Sequence, residues 1–423
     1  MSEVRVLADT PWLKSGPAAR VLALLNGNNE EARVVGGAVR NALLNIPSGD
    51  LDIATTALPD EVARRAKAAG IKCVPTGIEH GTVTLVVDAV PFEVTTLRED
   101  TETFGRKAKV AFGRDWVRDA ERRDFTINGL SVDADGVVHD HVGGLADIAA
   151  RRVRFIGDAG QRIAEDYLRI LRFFRMNAVY GVGAPDREGY LACIGGRAGL
   201  ASLSAERVRM EMLKIMVAEG ALVAVTAMGD AGLLQAIFGG VTYTGPMAAM
   251  ISAERMLGLP PSPVRRLGAL SVAVTEDAKR VAARLRLTNA EAKALDSMGH
   301  RWWRLADMDE ARARRRLYRL GEEQYRDRLL LAWARSGGSQ DFADNRAAYW
   351  REFATLPQRW SAPKFPLKAA DFIARGIAEG PALGHVLTLA EDAWLAADFP
   401  LDQPALSAIA DQTVARFTRD HRL

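Results

Sequence analysis

Residues 33–52 read RVVGGAVRNALLNIPSGDLD, and the way this stretch folds decides the rest. A β-rich run, Ala32–Val35, ends in Gly36-Gly37, and a helical pattern follows at Val39–Leu44. A strand that ends in two glycines and opens a helix exposes backbone N–H groups at the positive end of the helix dipole, where a phosphate can settle. Gly37 and Arg40, the latter one turn into the helix, are therefore candidate phosphate contacts. Two glycines alone are explained as well by a plain tight turn. Asp50-Leu51-Asp52 follows, at the start of a second β-rich run, Leu51–Thr55. Alternate residues of a strand point to one face, so the two carboxylates are expected side by side. Like charges so placed repel unless a cation neutralises them, and a carboxylate pair beside phosphates suits Mg²⁺. In two-metal phosphoryl transfer such a pair holds ions that activate the attacking hydroxyl and steady the leaving group. A solvated strand edge would explain a lone Asp-x-Asp, but not one placed just beyond Gly-Gly-x-x-Arg.

Working outward, further β-rich runs occur at Ile71–Val74, Thr82–Val87 and Phe92–Leu97, with a helical pattern at Asp60–Ala69. Thr82–Val87 and Phe92–Leu97 predict a hairpin with a four-residue loop. Glu93, on the last of these strands, becomes a third candidate catalytic carboxylate, as a metal ligand, if that strand lies beside Asp52. The result is a small α/β unit on a mixed sheet. Beyond Ile163 the pattern stays helical, with Ser204 predicted as the N-cap of a helix. Glycine or proline breaks near 181–185, 239–245, 257–264 and 357–366 divide this half, and no repeat of fixed period appears.

At 423 residues the chain predicts two to four domains. Its 48% hydrophobic and 26% charged content excludes collagen-like and wholly disordered classes. The two cysteines, Cys73 and Cys193, lack metal or redox spacing, which disfavours a disulfide scaffold or structural zinc and suggests a reducing compartment. No run approaches the length of a membrane span. Glu3, Asp9 and Lys14 interrupt any secretory pattern, so a cytoplasmic protein is expected. A net charge of +3 says little, but basic clusters at 151–154, 162–175, 279–285 and 312–319 permit a polyanionic partner.

Two more segments carry candidate chemistry. Residues 121–128, ERRDFTIN, alternate apolar Phe125 and Ile127 with polar groups. Arg123 suits a phosphate there, while Asp124 and Asn128 suit sugar hydroxyls, although a segment leading into a helix would look the same. Residues 165–175, EDYLRILRFFR, place Ile170, Leu171, Phe174 and Ala178 on one helical face, which predicts core. Asp166 and Arg169 then project together from a flank, with Arg172 and Arg175 continuing the row. A surface ion pair is the plain account. The sharper one is base reading: a carboxylate accepts from the exocyclic amine of cytosine or adenine while a guanidinium donates to ring acceptors, and uracil or guanine presents the wrong pattern.

Together the stretches GGAVRNALLNIPSGDLDIATT, HGTVTLVV…FEVTTLRED, RRDFTINGL, HDHVGGLADI, EDYLRILRFFR and SAERVRMEM resemble the class II nucleotidyltransferases, the family of bacterial and eukaryotic CCA-adding enzymes and bacterial poly(A) polymerases. They cover about residues 33–215 in the family's order. The resemblance implies an α+β nucleotidyltransferase head with a mixed five-stranded sheet (1–157), then an all-α neck (158–225), body (226–355) and RNA-binding tail (356–423). It implies addition of CCA to the tRNA 3′ acceptor end from CTP and ATP with Mg²⁺, releasing pyrophosphate. Asp50 and Asp52 align with the metal ligands, and Gly37, Arg40 and Arg123 with residues around the nucleotide. Asp166 and Arg169 align with the base-reading pair, and Arg172 and Arg175 with phosphate-side arginines. A-adding, CC-adding and poly(A)-adding members share these motifs, and a non-catalytic RNA-binding protein is the alternative from another class.

The sequence departs from the family's pattern at Asn41, where an Asp is usual, at Tyr167 for a common Pro, and at Gly129 for a common Ala. Glu99–Asp119 corresponds to a flexible head loop that the family uses in switching from C to A addition. His139-Asp140-His141 falls in a family turn and is not read as a phosphohydrolase site, and His80 is read as structural or substrate-adjacent. Arg301-Trp302-Trp303-Arg304 and Arg312–Arg319 read as helix-core tryptophans with a solvated basic face, or as phosphate contacts along RNA.

Overall fold

Ala32–Val35 forms strand β1 and is buried along its whole length. Even Arg33 is enclosed, paired with Glu31 at 2.7 Å and set 4.1 Å from the Trp116 ring centroid. The computed structural model describes residues 7–104, 107–306, 308–336 and 345–420. Glu3 and the side chains of His80 and of residues 99–111 lie outside the described residues, and with them the readings placed on Glu3 and His80 and most of that on the 99–119 loop.

Strands β2 (Asp52–Thr55), β3 (Lys72–Gly77), β4 (Thr82–Val87) and β5 (Val90–Thr96) join β1 in the five-stranded sheet that was expected. Two further strands, β8 (Ser131–Val132) and β9 (Val138–His139), extend it to seven in the order β3-β4-β5-β2-β1-β8-β9. Each is two residues long, too short to leave a periodic pattern in sequence. The sheet is mixed because β2 and β5 run parallel while its other pairs are antiparallel. Between β5 and β8 in the chain, β6 (Arg98–Phe104) and β7 (Lys107–Phe112) form a separate two-stranded ribbon.

The β4–β5 hairpin is tighter than the predicted four-residue loop. Val87 pairs with Val90, leaving only Asp88-Ala89 as the turn, with φ of 51° and 64°. A two-residue turn of type I′ needs positive φ at both positions, and neither residue is the glycine that would have advertised it. Pro91, which reads as a strand breaker, is carried inside β5 opposite Val86.

The segment 165–175 is not one helix. A helix Ala159–Glu165 ends, Asp166 is extended (φ −154°, ψ 107°), and a second helix runs Leu168–Tyr180. The predicted face holds: Ile170, Leu171, Phe174 and Ala178 are buried. Phe173 is buried as well, stacked on Phe155 with centroids 5.3 Å apart, and Phe155 meets Phe125 at 4.9 Å. This aromatic group fixes the 121–128 segment against the helix that carries Arg169, Arg172 and Arg175.

The chain divides into two compact units. The first comprises residues 1–239 together with 284–286. The second, residues 240–283 and 287–423, is helical and has two apolar clusters, one including Tyr325, Leu329 and Trp350, the other including Phe372, Trp394 and Phe399. Among the described residues no helix is long and apolar enough to cross a membrane.

Candidate active site

The site begins where β1 stops. Val35 pairs with Asp52, so the glycine turn and the first residue of β2 leave the sheet from adjacent strand ends. Gly36 has φ +71°, and a Cβ there would lie 3.2 Å from Nη1 of Arg123. The backbone angle favours glycine there, and the missing Cβ leaves room for the guanidinium. The helix Gly37–Leu43 starts directly after it. On its other side Asp52 pairs in parallel register with Glu93, which fulfils the condition set for that residue. Asp50 lies two residues before the strand and is exposed, so regular strand alternation does not place it.

The two aspartates nevertheless feel each other. Burial pushes the Asp52 carboxyl above its ordinary pKa and the Asp50 charge pushes it further, with Arg123 opposing. A carboxylate pair short of positive charge is a fitting donor set for a divalent cation. Among the described residues no group of three or more His, Cys, Asp or Glu side chains could hold a metal. Two carboxylates completed by oxygens from a phosphate ligand is the arrangement that suits Mg²⁺.

A cavity of about 520 Å³ opens beside Asp52. Gly36, Gly37 and Arg40 line it from the glycine turn, and Arg123, Asp124 and Asn128 from the following segment. Asp166, Arg169, Arg172 and Arg175 line it from the helical side. Of the expected site residues only Asp50 and Glu93 are not part of this lining. Residues that the sequence reading did not place in the site also line it or support it, among them Arg122, Arg207 and Tyr180.

Behind the lining runs a hydrogen-bonded chain of side chains. Arg40 is buried and its guanidinium carbon lies 3.9 Å from the Tyr180 ring centroid. Its Nε and Nη2 donate to Asn41 Oδ1, Nη2 also donates to the Tyr180 hydroxyl at 2.6 Å, and Nη1 donates to Asn128 Oδ1 and faces the Met176 sulfur. All five N–H groups of an arginine are accounted for in this way. Arg40, expected as a phosphate clamp, therefore acts here by positioning and by charge. Asn41, standing where an aspartate was expected, serves as a neutral acceptor. Burial holds the Arg40 guanidinium below its ordinary pKa.

Asn128 in turn donates to Asp124 Oδ1 at 3.0 Å, and Arg172 donates to Asp124 Oδ2 through Nε at 2.7 Å. Burial alone would push the Asp124 carboxyl up, but Arg172, the Asn128 amide and the Phe125 N–H outweigh it and hold it below its ordinary pKa. Asp124, expected to meet a sugar hydroxyl, is thus engaged as the anchor of Arg172.

The presumed base-reading pair is not joined directly. The extended backbone at Asp166 turns its carboxylate to Arg207, which donates through Nη2 at 2.7 Å and Nη1 at 3.2 Å. Arg169 instead pairs with Glu165 and donates to the Arg162 carbonyl at 2.8 Å. Arg175 donates to Glu211 Oε2 at 2.6 Å, and Glu211 is itself buried. Arg207 and Glu211 belong to the helix Ala205–Val217, which begins after Ser204 as predicted, although the serine side chain makes no cap bond. The only sequence signal for Arg207 was its place in SAERVRMEM; Tyr180 left none.

The family turn at 139–148 proves structural. Asp140 accepts the backbone N–H groups of Val142, Gly143, Gly144 and Leu145, which closes the turn into the helix Gly144–Ala149. His139 pairs with Asp133 at 2.7 Å. Gly129 is explained too: a Cβ there would lie 2.5 Å from a Val142 methyl carbon.

The sequence and the fold are similar to those of known proteins. Residues 32–154 match the family described as Poly A polymerase head domain, and residues 197–243 match one described as a probable RNA and SrmB-binding site of polymerase A. A Mus musculus protein, mitochondrial CCA tRNA nucleotidyltransferase 1, is 32% identical over 392 residues, covering 91% of this chain and 87% of its own. The CCA-adding enzyme of Limosilactobacillus fermentum is 31% identical over 382 residues, 88% of this chain and 90% of its own. Among solved structures, the Bacillus stearothermophilus CCA-adding enzyme in complex with CTP superposes with a TM-score of 0.71 at 25% identity, over 97% of this chain and 100% of that one.

Proposed function

The chain belongs to the class II CCA-adding enzyme family, and we propose that its 520 Å³ cavity takes CTP and ATP in turn and adds C, C and A to the tRNA 3′ end, releasing pyrophosphate. The observation that carries this is the convergence on one cavity of the glycine turn, Asp52 and the row Asp166, Arg169, Arg172 and Arg175.

In this reading Asp50 and Asp52 hold the divalent ion used by the family, taken to be Mg²⁺ because the donors are hard oxygens, with Glu93 beside Asp52 in register. When bound, such an ion lowers the pKa of the RNA 3′-hydroxyl and offsets charge gathering on the α-phosphate. The chain's own groups do the rest by positioning and charge. Arg123, Arg172 and Arg175 face the triphosphate, and Asp124 with Asn128 keeps Arg172 and Arg40 in place. Asp166 accepts from the exocyclic amine of cytosine or adenine, Arg169 donates to the ring, and Arg207 holds Asp166 in position. The 3′-hydroxyl oxygen bonds to the α-phosphorus, the bond to pyrophosphate breaks, and the hydroxyl proton passes to solvent water.

The expected division into head (1–157), neck (158–225), body (226–355) and tail (356–423) is supported by the strands, all of which precede 158 among the described residues, and by an apolar cluster running from Phe372 to Ala410. We expect a cytoplasmic enzyme, in keeping with Cys73 and Cys193 both being free thiols. The test is incorporation of labelled CTP and ATP into tRNA transcripts lacking CCA, CA or A. Addition that completes CCA and stops is expected, and Asp50→Ala or Asp52→Ala should abolish it for every nucleotide while tRNA binding persists. Addition of only CC, only A, or an A tail would replace this reading, and normal turnover in either variant would remove the aspartates from it.

A further inference from the structure

The long helix Glu310–Ser336 is broken at Gly321, whose φ is +73°. Its first half carries Arg312, Arg315, Arg316 and Arg319, spaced three, four and seven residues from the first, which sets them on one stripe. Ala313 and Leu317, on the adjoining face, are buried and anchor the stripe to the core. Arg304, from the short 3₁₀ turn Trp302–Leu305, joins the four. These five arginines, with Met308, line a cavity of about 510 Å³, and no acidic side chain is among its lining.

Arg312 has an exposed partner in Asp309 at 3.3 Å, and Arg319 pairs with Asp392. Among the described residues Arg304, Arg315 and Arg316 have neither an ion pair nor a side-chain hydrogen bond. A basic face turned to water would be unremarkable. Here Arg315 and Arg316 are only half exposed, and cations crowd one another: burial, with the charges of Arg304, Arg319 and Arg301, holds the Arg316 guanidinium below its ordinary pKa. Such a concavity is relieved by an anion.

We propose that this cavity binds successive backbone phosphates of the tRNA substrate, an assignment that rests on the reading of the enzyme as tRNA-directed. From Arg312 to Arg319 the stripe extends roughly 10 Å at 1.5 Å per helical residue. A strand of duplex DNA presents one charge per about 3.4 Å of axis and an RNA helix is at least as densely charged, so the stripe matches several phosphates in a row where one small anion would need far less. Guanidinium forks suit phosphate oxygens, and contacts of this kind give affinity without reading sequence.

The test is tRNA affinity as a function of salt for the full-length protein and for the Arg315→Gln/Arg316→Gln double variant, with thermal melting as the control for folding. The variant should bind tRNA about tenfold more weakly at moderate salt. Its plot of log affinity against log salt should be flatter by about one to two, near 0.9 per lost phosphate contact. The KM for CTP and the kcat at saturating tRNA should be unchanged, and Arg315→Lys/Arg316→Lys should retain most of the affinity. Unchanged affinity and slope would overturn the site even if the wild type completes CCA. So would weaker binding with an unchanged slope, which marks lost packing, or equal weakening by the lysine variant. If the wild type binds tRNA with the expected slope difference yet adds no nucleotide, the reaction reading fails while the phosphate site stands.

Discussion

Asp166 is held before any nucleotide arrives, because Arg207 takes both of its carboxylate oxygens. Removing that partner should loosen the acceptor proposed above to discriminate amino from carbonyl bases. For Arg207→Ala, kcat/KM for CTP relative to UTP should fall about tenfold, the scale of one hydrogen bond to a charged group, with tRNA affinity unchanged. Unaltered discrimination would leave Arg207 a purely structural residue. Asp124 offers a test by pH. Its folded pKa lies below the unfolded value of about 3.9, so its contribution to stability is complete above that value and is lost as pH falls through the folded pKa. The melting temperature of the wild type should exceed that of Asp124→Asn by a constant margin above about pH 5, and the gap should close below about pH 4. At neutral pH the substitution should cost about 2–4 kcal/mol, less than for a fully buried pair because Arg172 still meets solvent. That Arg40, Asp124, Asp166 and Arg172 stand out as candidates was legible in sequence, since charge type and spacing belong to the chain itself. Their partners were not. Arg40 meets Tyr180 across 140 positions and Arg172 meets Asp124 across 48, and neither helical nor strand periodicity carries such distances.

Among the elements, β4 alternates and Leu168–Tyr180 keeps one buried face, so both were readable from their period, while β1 and β2 were readable as short β-rich runs without one. The errors lie where local conformation overrides pattern. Asp166 interrupts what reads as continuous helix, and that interruption lets its carboxylate reach Arg207 while Arg169 turns to Glu165. The two-residue turn at Asp88-Ala89 hides behind residues that do not advertise positive φ. Gly129 is the counterexample, a departure from family pattern with a packing reason. Gly129→Ala should cost about 1–3 kcal/mol through the clash with Val142, measured as a lower melting temperature. Trimming the neighbour in Gly129→Ala/Val142→Ala should recover part of that loss. A neutral single substitution would show that Val142 rotates aside freely.

At the scale of the molecule, the first unit is not one continuous piece of chain. Residues 284–286 return to it from the midst of the second. Arg284 donates to the carbonyls of Ile237 and Ala236 at 2.8 and 2.5 Å, at the end of the helix Leu233–Phe238, and Arg286 pairs with Glu206 at 2.7 Å. Two helix-terminal acceptors thus depend on a donor from far along the sequence. Arg284→Ala should speed amide hydrogen exchange in residues 233–238 well above its effect on the sheet, and uniform exchange would show that water replaces the arginine at no loss. There is also a consequence for order of synthesis. On the ribosome the nucleotide-handling half is complete in sequence at Gly239 but not in contacts. Its last helix stays without those donors until residues 240–283 have also been made. An early-emerging unit is therefore finished by a late-emerging segment of its own, which ties the timing of its final closure to elongation through the middle of the chain.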